Sequence, residues 1–393
     1  MKLFLIKQYR TLIMTYVISM LFFTQCKQEY DPHVEAKTTG LLVVEGFINS
    51  GQGSTTIRLS RSSDLKDTTL KPEDGAQLNV QGDDGSNFLL FNNGNGEYNV
   101  SQLTLYNGVK YRLYIRTSNG KEYVSDYTSV KYTPPIDSIT WQMENEGLRL
   151  YANAHDPQGD AKYYQWKYEE TWEIHSTYYN ELMYLTDPVT SAPVQVAYKY
   201  ADQHTDTSIY KCWNTLNSST IVLGSTEKLT TDVVYLPVQY IEPHSEKLSV
   251  MYSINLHQYA ISKDEYSFLQ KMKKNTEQLG TIFDPQPSEI SGNIHCLSDP
   301  GETVIGHVEI SQEQVKRIFI SNSQVPGWNY KMDCVFIEID NKPDSIARYG
   351  VGLMPTLVSK KDPFHGIISF FASTPQCVDC TLRGVHQKPD FWP

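Results

Sequence analysis

Cys377-Val378-Asp379-Cys380 is the tightest cluster of chemically capable side chains in this 393-residue sequence. Two cysteines at this spacing can be a redox pair, half of a zinc site or structural sulfur. A redox pair wants its first thiolate at the start of a helix that follows a strand. This pair lies instead near the end of a β-rich chain, ahead of Gly384, Pro389 and Pro393. Zinc takes four ligands in a structural site; Cys377, Cys380 and His386 supply three, and His365 or His295 could complete the set. In an exported chain disulfides persist, so the expected role is structural, with one or both cysteines bridged to Cys334 or to each other. Cys334 is the leading outside partner, because it opens the strand candidate at Val335 and the tail after Ala372 needs an anchor. Neither a metal nor a cofactor is expected.

Other chemistry is harder to find. Ten histidines are scattered; His295-Cys296 is adjacent and His307 lies near it, but no His-x-x-x-His pattern is present. There is no Gly-x-Ser-x-Gly elbow and no phosphate-cradling loop, and no pair among the many acids stands out. The chain is therefore read as a non-enzyme. Aromatic residues are the alternative resource, with 27 tyrosines in the chain. In Tyr163-Tyr164-Gln165-Trp166-Lys167-Tyr168, alternation puts Tyr164, Trp166 and Tyr168 on one strand face, where they pack. The stretch from Ser176 to Tyr184 reads as a loop, so Tyr178, Tyr179 and Tyr184 are the candidate contact aromatics.

The N-terminus carries a different chemistry. Lys2, Lys7 and Arg10 precede an apolar run from Leu12 to Phe23, the layout of an export signal. The junction Phe23-Thr24-Gln25-Cys26 resembles a bacterial lipoprotein cleavage box, with Gln25 where a small residue is usual. The expected division is a signal over residues 1–25, a lipidated Cys26, and a polar tether over 26–40. Its start, Lys27-Gln28-Glu29-Tyr30-Asp31, loosely resembles the acidic tag that directs Bacteroidota lipoproteins to the outer face of the outer membrane. No second stretch is apolar enough to cross a bilayer. A net charge of −11 argues against a nucleic-acid partner, which needs a basic surface. Five further cysteines are an odd number, so one thiol stays free or pairs outside the chain.

The elements that must position these groups are mostly strands. After the signal, roughly 370 residues remain, enough for two domains. From Leu41 onward, alternating segments at 55–60, 76–80, 87–91, 97–100, 109–116 and 122–127 are separated by turns such as Asn92-Asn93-Gly94-Asn95-Gly96. About seven short strands in roughly 95 residues predict an immunoglobulin-like sandwich over 41–133 that folds alone. Thr133-Pro134-Pro135 breaks the pattern and marks the boundary. A larger β-rich domain over 136–393 follows, with one prominent helix near 262–279. Ser262 is its expected N-cap, with Glu265 completing a capping box, and Tyr266, Leu269 and Met272 form its packing face.

Taken in order, the motifs resemble a known family. They are the lipoprotein signal, Leu41-Leu42-Val43-Val44-Glu45-Gly46, Pro134-Pro135-Ile136-Asp137-Ser138, Lys211-Cys212-Trp213, and Tyr252-Ser253-Ile254 running to Gln258-Tyr259-Ala260. Phe283-Asp284-Pro285-Gln286-Pro287 with Gly292-Asn293 follows, then Val304-Ile305-Gly306, the Cys377 motif and Lys388-Pro389-Asp390-Phe391-Trp392. The chain is similar to the Bacteroidota outer-membrane lipoproteins grouped as domain of unknown function 4249. Members are often encoded beside TonB-dependent transporters. The resemblance implies a lipid-anchored accessory protein at the outer membrane, on the cell surface or its periplasmic face, that binds a nutrient or docks on such a transporter. A surface adhesion or envelope-scaffold module is the alternative, and a surface hydrolase a lesser one. The resemblance supplies no catalytic residues.

Overall fold

Alternation of buried and exposed side chains organises the first part of the chain. In the strand Lys110–Arg116, Tyr111, Leu113 and Ile115 are fully buried while Lys110 and Arg116 face water. Strands Leu42–Asn49, Thr55–Arg61, Gln77–Gly82, Asn87–Gly94, Glu97–Val100 and Glu122–Ser125 join it in one antiparallel arrangement that curls around a shared core. Between Asn87–Gly94 and Glu97–Val100, Asn95 and Gly96 both have positive φ, 54° and 72°. This is the backbone that a two-residue hairpin with the natural strand twist requires. The computed structural model describes residues 40–63, 71–277 and 292–393. The signal, Cys26 and the tether lie outside the described residues, as do the last residues of the expected helix, 278–279. Among the described residues, no helix is long and apolar enough to cross a membrane.

The fold is mainly β, a sandwich followed by a larger β-rich part with one prominent helix, as the sequence predicts. The expected cut between 41–133 and 136–393 does not hold. Ile294–Cys296 pairs with Glu122–Ser125 at one edge of the sandwich, and Ile310–Ser311 runs parallel to Leu42–Asn49 at the other. Ile294, Cys296, Val304, Val308 and Ile310 are part of the sandwich core. Strands left unpaired at an edge are a liability, and here both edges are covered by chain from beyond the boundary. The linker is also not a free hinge. Thr133 Oγ1 accepts a bond from the Ala260 amide at 2.9 Å, and the Pro134 carbonyl accepts one from Gln258 Nε2 at 2.8 Å.

The second part is built on the 13-residue strand Tyr163–His175. It pairs with Met251–Ile261 on one side and with Lys211–Asn217 and Val222–Ser225 on the other; Gln314–Ser321 extends the sheet. A three-stranded sheet, Ile136–Glu144, Gly147–His155 and Val233–Ile241, packs on it. The interface contains Tyr164, Trp166 and Tyr168, as alternation predicts. A third cluster joins the hairpin Leu182–Thr186 and Pro193–Tyr198 to a sheet of Phe336–Asp340, Met354–Asp362 and Gly366–Ser373.

The cysteines hold the C-terminal tail. Cys334 bonds Cys377, and Cys380 bonds Cys212, a partner that sequence reasoning did not assign. Cys377 and Cys380 therefore do not bridge each other. Both sulfurs are spent in disulfides, so neither can serve as a thiolate ligand to zinc. Cys296 keeps its thiol and is buried. The tail has a second anchor: Trp392 is buried and donates its indole N–H to Glu173 at 3.0 Å. Burial would raise the Glu173 carboxyl, but hydrogen bonds from His175, Lys211 and Trp392 outweigh it and hold the group at about 2.

Candidate binding site

The strand Tyr163–His175 has two faces. Trp166 points into the sheet-on-sheet core, so its neighbours Gln165 and Lys167 project to the opposite side. There the helix Lys263–Glu277 covers the sheet. Ser262 starts it as expected: its hydroxyl accepts a bond from the Glu265 amide at 3.0 Å. The capping box is only half formed, because the Glu265 side chain turns away to pair with His307. Phe268 and Leu269 are buried against Tyr163, Tyr259 and Ile261, with Tyr266 and Met272 partly buried beside them. This is the face expected from the spacing of Tyr266, Leu269 and Met272, with Phe268 added.

Sheet, helix and the strand Leu42–Asn49 border a partly open cavity of about 240 Å³. Its walls are mainly apolar: Phe47, Ile221, Tyr259, Phe268, Leu269 and Met272. Polar and charged side chains, Glu45, Gln165, Lys167, Glu265, His307 and Glu309 among them, line the rest, and the volume is at the small end for small-molecule sites. Gly306 helps to shape it. Its φ is +144°, and a Cβ there would lie 2.2 Å from the Val44 carbonyl oxygen. Only glycine allows that close approach, which brings His307 and Glu309 to the cavity. Asn293 fixes the same segment: its amide donates to the Val308 carbonyl at 2.9 Å and accepts from the Val308 N–H at 2.9 Å.

Most of the charged groups here are already engaged. Glu265 and His307 form an ion pair in close contact, although neither atom of the contact completes an aligned hydrogen bond. Burial disfavours the His307 imidazolium, but bonding and charge from Glu265 outweigh it and raise its pKa. One Glu309 oxygen accepts from the Ser262 hydroxyl, while the other is buried without a partner. Burial pushes the Glu309 carboxyl upward despite the Ser262 bond. Glu313 accepts from Tyr259 at 2.6 Å and pairs with His257 at 2.7 Å. Burial would raise it, yet these two partners keep it below the ordinary range.

Lys167 and Glu45 are the exceptions. Both line the cavity, both keep exposed surface, and no hydrogen bond or ion pair holds either side chain among the described residues. Crowding by protein atoms lowers the Lys167 pKa, opposed by the charges of Glu265, Glu45 and Glu313. A larger open groove of about 580 Å³, lined by Asp126, Lys131, Asp264 and Lys271, adjoins on the far side of His307 and Glu309.

The residues expected as contacts lie elsewhere. Tyr178 stacks on Phe336 with ring centroids 4.2 Å apart, and Tyr179 on Tyr210 at 4.0 Å. Tyr179 is 41% exposed, so it remains available. Tyr184 is not in a loop: it lies in the strand Leu182–Thr186 and packs edge-on to Phe370 in the third cluster. Burial pushes its hydroxyl up to about 12. Sequence reasoning missed Lys167, Glu265 as a site residue, and Glu309, and it set His307 aside as structural. A signal for one was present: Lys167 is the single charge inside an aromatic strand segment.

The chain matches the family described as "Domain of unknown function (DUF4249)" over residues 27–317. It belongs to this family. The DUF4249 match includes Lys167, Glu265, His307 and Glu309 and stops short of the third cluster's C-terminal sheet. No curated protein matches the chain. Among solved structures, a trypsin-activated alpha-2-macroglobulin from Escherichia coli is similar at 11% identity and a TM-score of 0.18, over 58% of this chain and 15% of that one. The Yersinia pseudotuberculosis adhesin InvE is similar at 13% identity and a TM-score of 0.15, over 56% and 54%. The chain thus spans less than two thirds of either. At TM-scores this low, neither bears on fold or function.

Proposed function

We propose that this DUF4249 protein is a Bacteroidota lipoprotein, anchored in the outer membrane through Cys26, that binds a small nutrient for delivery to a TonB-dependent transporter. It is a binder, not an enzyme, and works on the cell surface or the periplasmic face. The observation that carries the reading is the mainly apolar cavity of about 240 Å³ between the sheet, the helix Lys263–Glu277 and the strand Leu42–Asn49. Glu265 and His307 are committed to each other, which favours a binding role over a hydrolytic one.

The transporter half is tested by gentle solubilisation of native membranes and mass spectrometry of what co-purifies. A TonB-dependent transporter should be recovered with the protein; its consistent absence would remove the docking partner. The anchor is tested separately. Cys26→Ser should move the protein from the membrane fraction to the soluble fraction, since no other segment is expected to hold it there. Unchanged membrane partitioning would count against lipidation at Cys26.

A further inference from the structure

We propose that the Cys334–Cys377 bridge is a thiol-exchange site. A small external thiol takes Cys334 as a mixed disulfide and frees the strap of chain that precedes the strand Phe336–Asp340. The site does not depend on the binding reading above.

The two disulfides of the tail differ in access. Cys212 and Cys380 are both fully buried. Cys377 is buried as well, but Cys334 keeps surface. It lines an open groove of about 570 Å³ with His175, Tyr178, Ser249, Tyr330 and Asp333. Exchange needs a thiolate to reach one sulfur while the other departs. Of the four bonded sulfurs only that of Cys334 is open to such an approach, so Cys377 is the leaving group. The Thr374 hydroxyl serves its departure. Thr374 precedes the helix Pro375–Val378 but makes no capping bond with its side chain; it donates to Cys377 Sγ at 3.2 Å. A donor there stabilises the thiolate as it forms. In the step, the external thiolate bonds to Cys334 Sγ and the bond to Cys377 breaks. The electron pair leaves on Cys377 Sγ, which takes from solvent a proton equivalent to the one the thiol lost. Cys377 can attack Cys334 again and expel the thiol, so the step is reversible.

What the bridge holds is the strap. Residues 328–335 have no regular structure. Trp328 fixes one end, buried and with its indole N–H on the Ser245 carbonyl at 3.1 Å. From Tyr330 to Val335, the hydrogen bonding among the described residues is limited to a contact of the Thr177 hydroxyl with Cys334 Sγ at 3.4 Å. Opening the bridge therefore loosens one wall of the groove, while Cys212–Cys380 and Trp392 keep the tail in place.

The test treats the full oxidised chain, in mild detergent and without denaturant, with reduced glutathione. Samples are alkylated at intervals and the cysteines mapped by peptide mass spectrometry. The expected result is glutathione on Cys334 and alkylation at Cys377, with Cys212–Cys380 opening at least about a hundredfold more slowly for want of access. Thr374→Val should slow the opening by about three- to tenfold, the share of one modest hydrogen bond in a barrier, and leave the attacked sulfur the same. Tryptic cleavage after Lys331 should accelerate at least about tenfold once the bridge is open, because the strap has lost its main tie. The wild-type mapping decides the proposal even if the Thr374 variant fails to fold. Glutathione mainly on Cys377, equal or faster opening of Cys212–Cys380, or no adduct on the folded protein would overturn it. A folded Thr374→Val protein that opens at the wild-type rate would remove the role of that hydroxyl, and unchanged cleavage after Lys331 would remove the release of the strap.

Discussion

Trp166→Ala is expected to lower the free energy of unfolding by about 3–5 kcal/mol, the usual cost of truncating a fully buried large aromatic. Trp166 has no exposed surface and sits where the two sheets of the second part meet. Gly224, on the adjacent strand, leaves room for the indole: a Cβ there would lie 2.8 Å from its ring. The indole N–H donates to Gln258 Oε1 at 2.8 Å, and Gln258 in turn donates to the Pro134 carbonyl. The substitution therefore opens a cavity and strips a buried amide of one partner, and that amide also holds the linker. Trp166→Phe separates the two effects. It keeps most of the packing and loses the bond, so it should cost about 1–3 kcal/mol, the penalty of an unsatisfied buried group. Denaturant unfolding of both variants gives the values. A loss below about 1 kcal/mol for Trp166→Ala would place the core elsewhere.

Loss of the Cys212–Cys380 bond should cost about 2–5 kcal/mol. The bridge closes 168 residues of sequence, and closing so long a loop removes much freedom from the unfolded chain. The double variant Cys212→Ser/Cys380→Ser, compared with wild type by chemical denaturation, measures it. Thiol labelling of the denatured, unreduced protein checks the pairing itself: of the five cysteines after Cys26, only Cys296 should react. Reaction at Cys377 would contradict the bond to Cys334, reaction at Cys380 would contradict the bond to Cys212, and reaction at both with stoichiometric zinc in the same sample would turn the motif back into a metal site.

Local patterns carried the fold further than they carried the site. Alternation in Tyr111, Leu113 and Ile115, or in Tyr164, Trp166 and Tyr168, is a property of neighbouring residues and could be read directly. So could the start of the helix at Ser262. The domain boundary misled because Pro134-Pro135 does interrupt the strands, but whether chain from beyond it returns depends on pairings between distant segments. Ile294–Cys296 is too short to announce its partner. The cavity was illegible for the same reason. Lys167 lies on a strand, Glu265 on the helix, and His307 and Glu309 on the segment after Gly306, and their meeting depends on Gly306 approaching Val44. Tyr184 failed differently: Leu182–Thr186 is a short strand with a mixed burial pattern, so its alternation was too weak to separate it from a loop.

The return of chain to both edges of the sandwich sets an order of events during synthesis. The Glu122 amide bonds the hydroxyl of Ser298, 176 residues later. At a pace of about 5–20 residues per second, that interval lasts roughly 10–35 s. Throughout it, the early strands exist without the segments that cover their margins, and open margins invite pairing with other copies of the same nascent chain. The early strands therefore keep uncovered margins until residues 294–311 arrive. Products cut short before that point would keep both margins permanently open and be prone to aggregate.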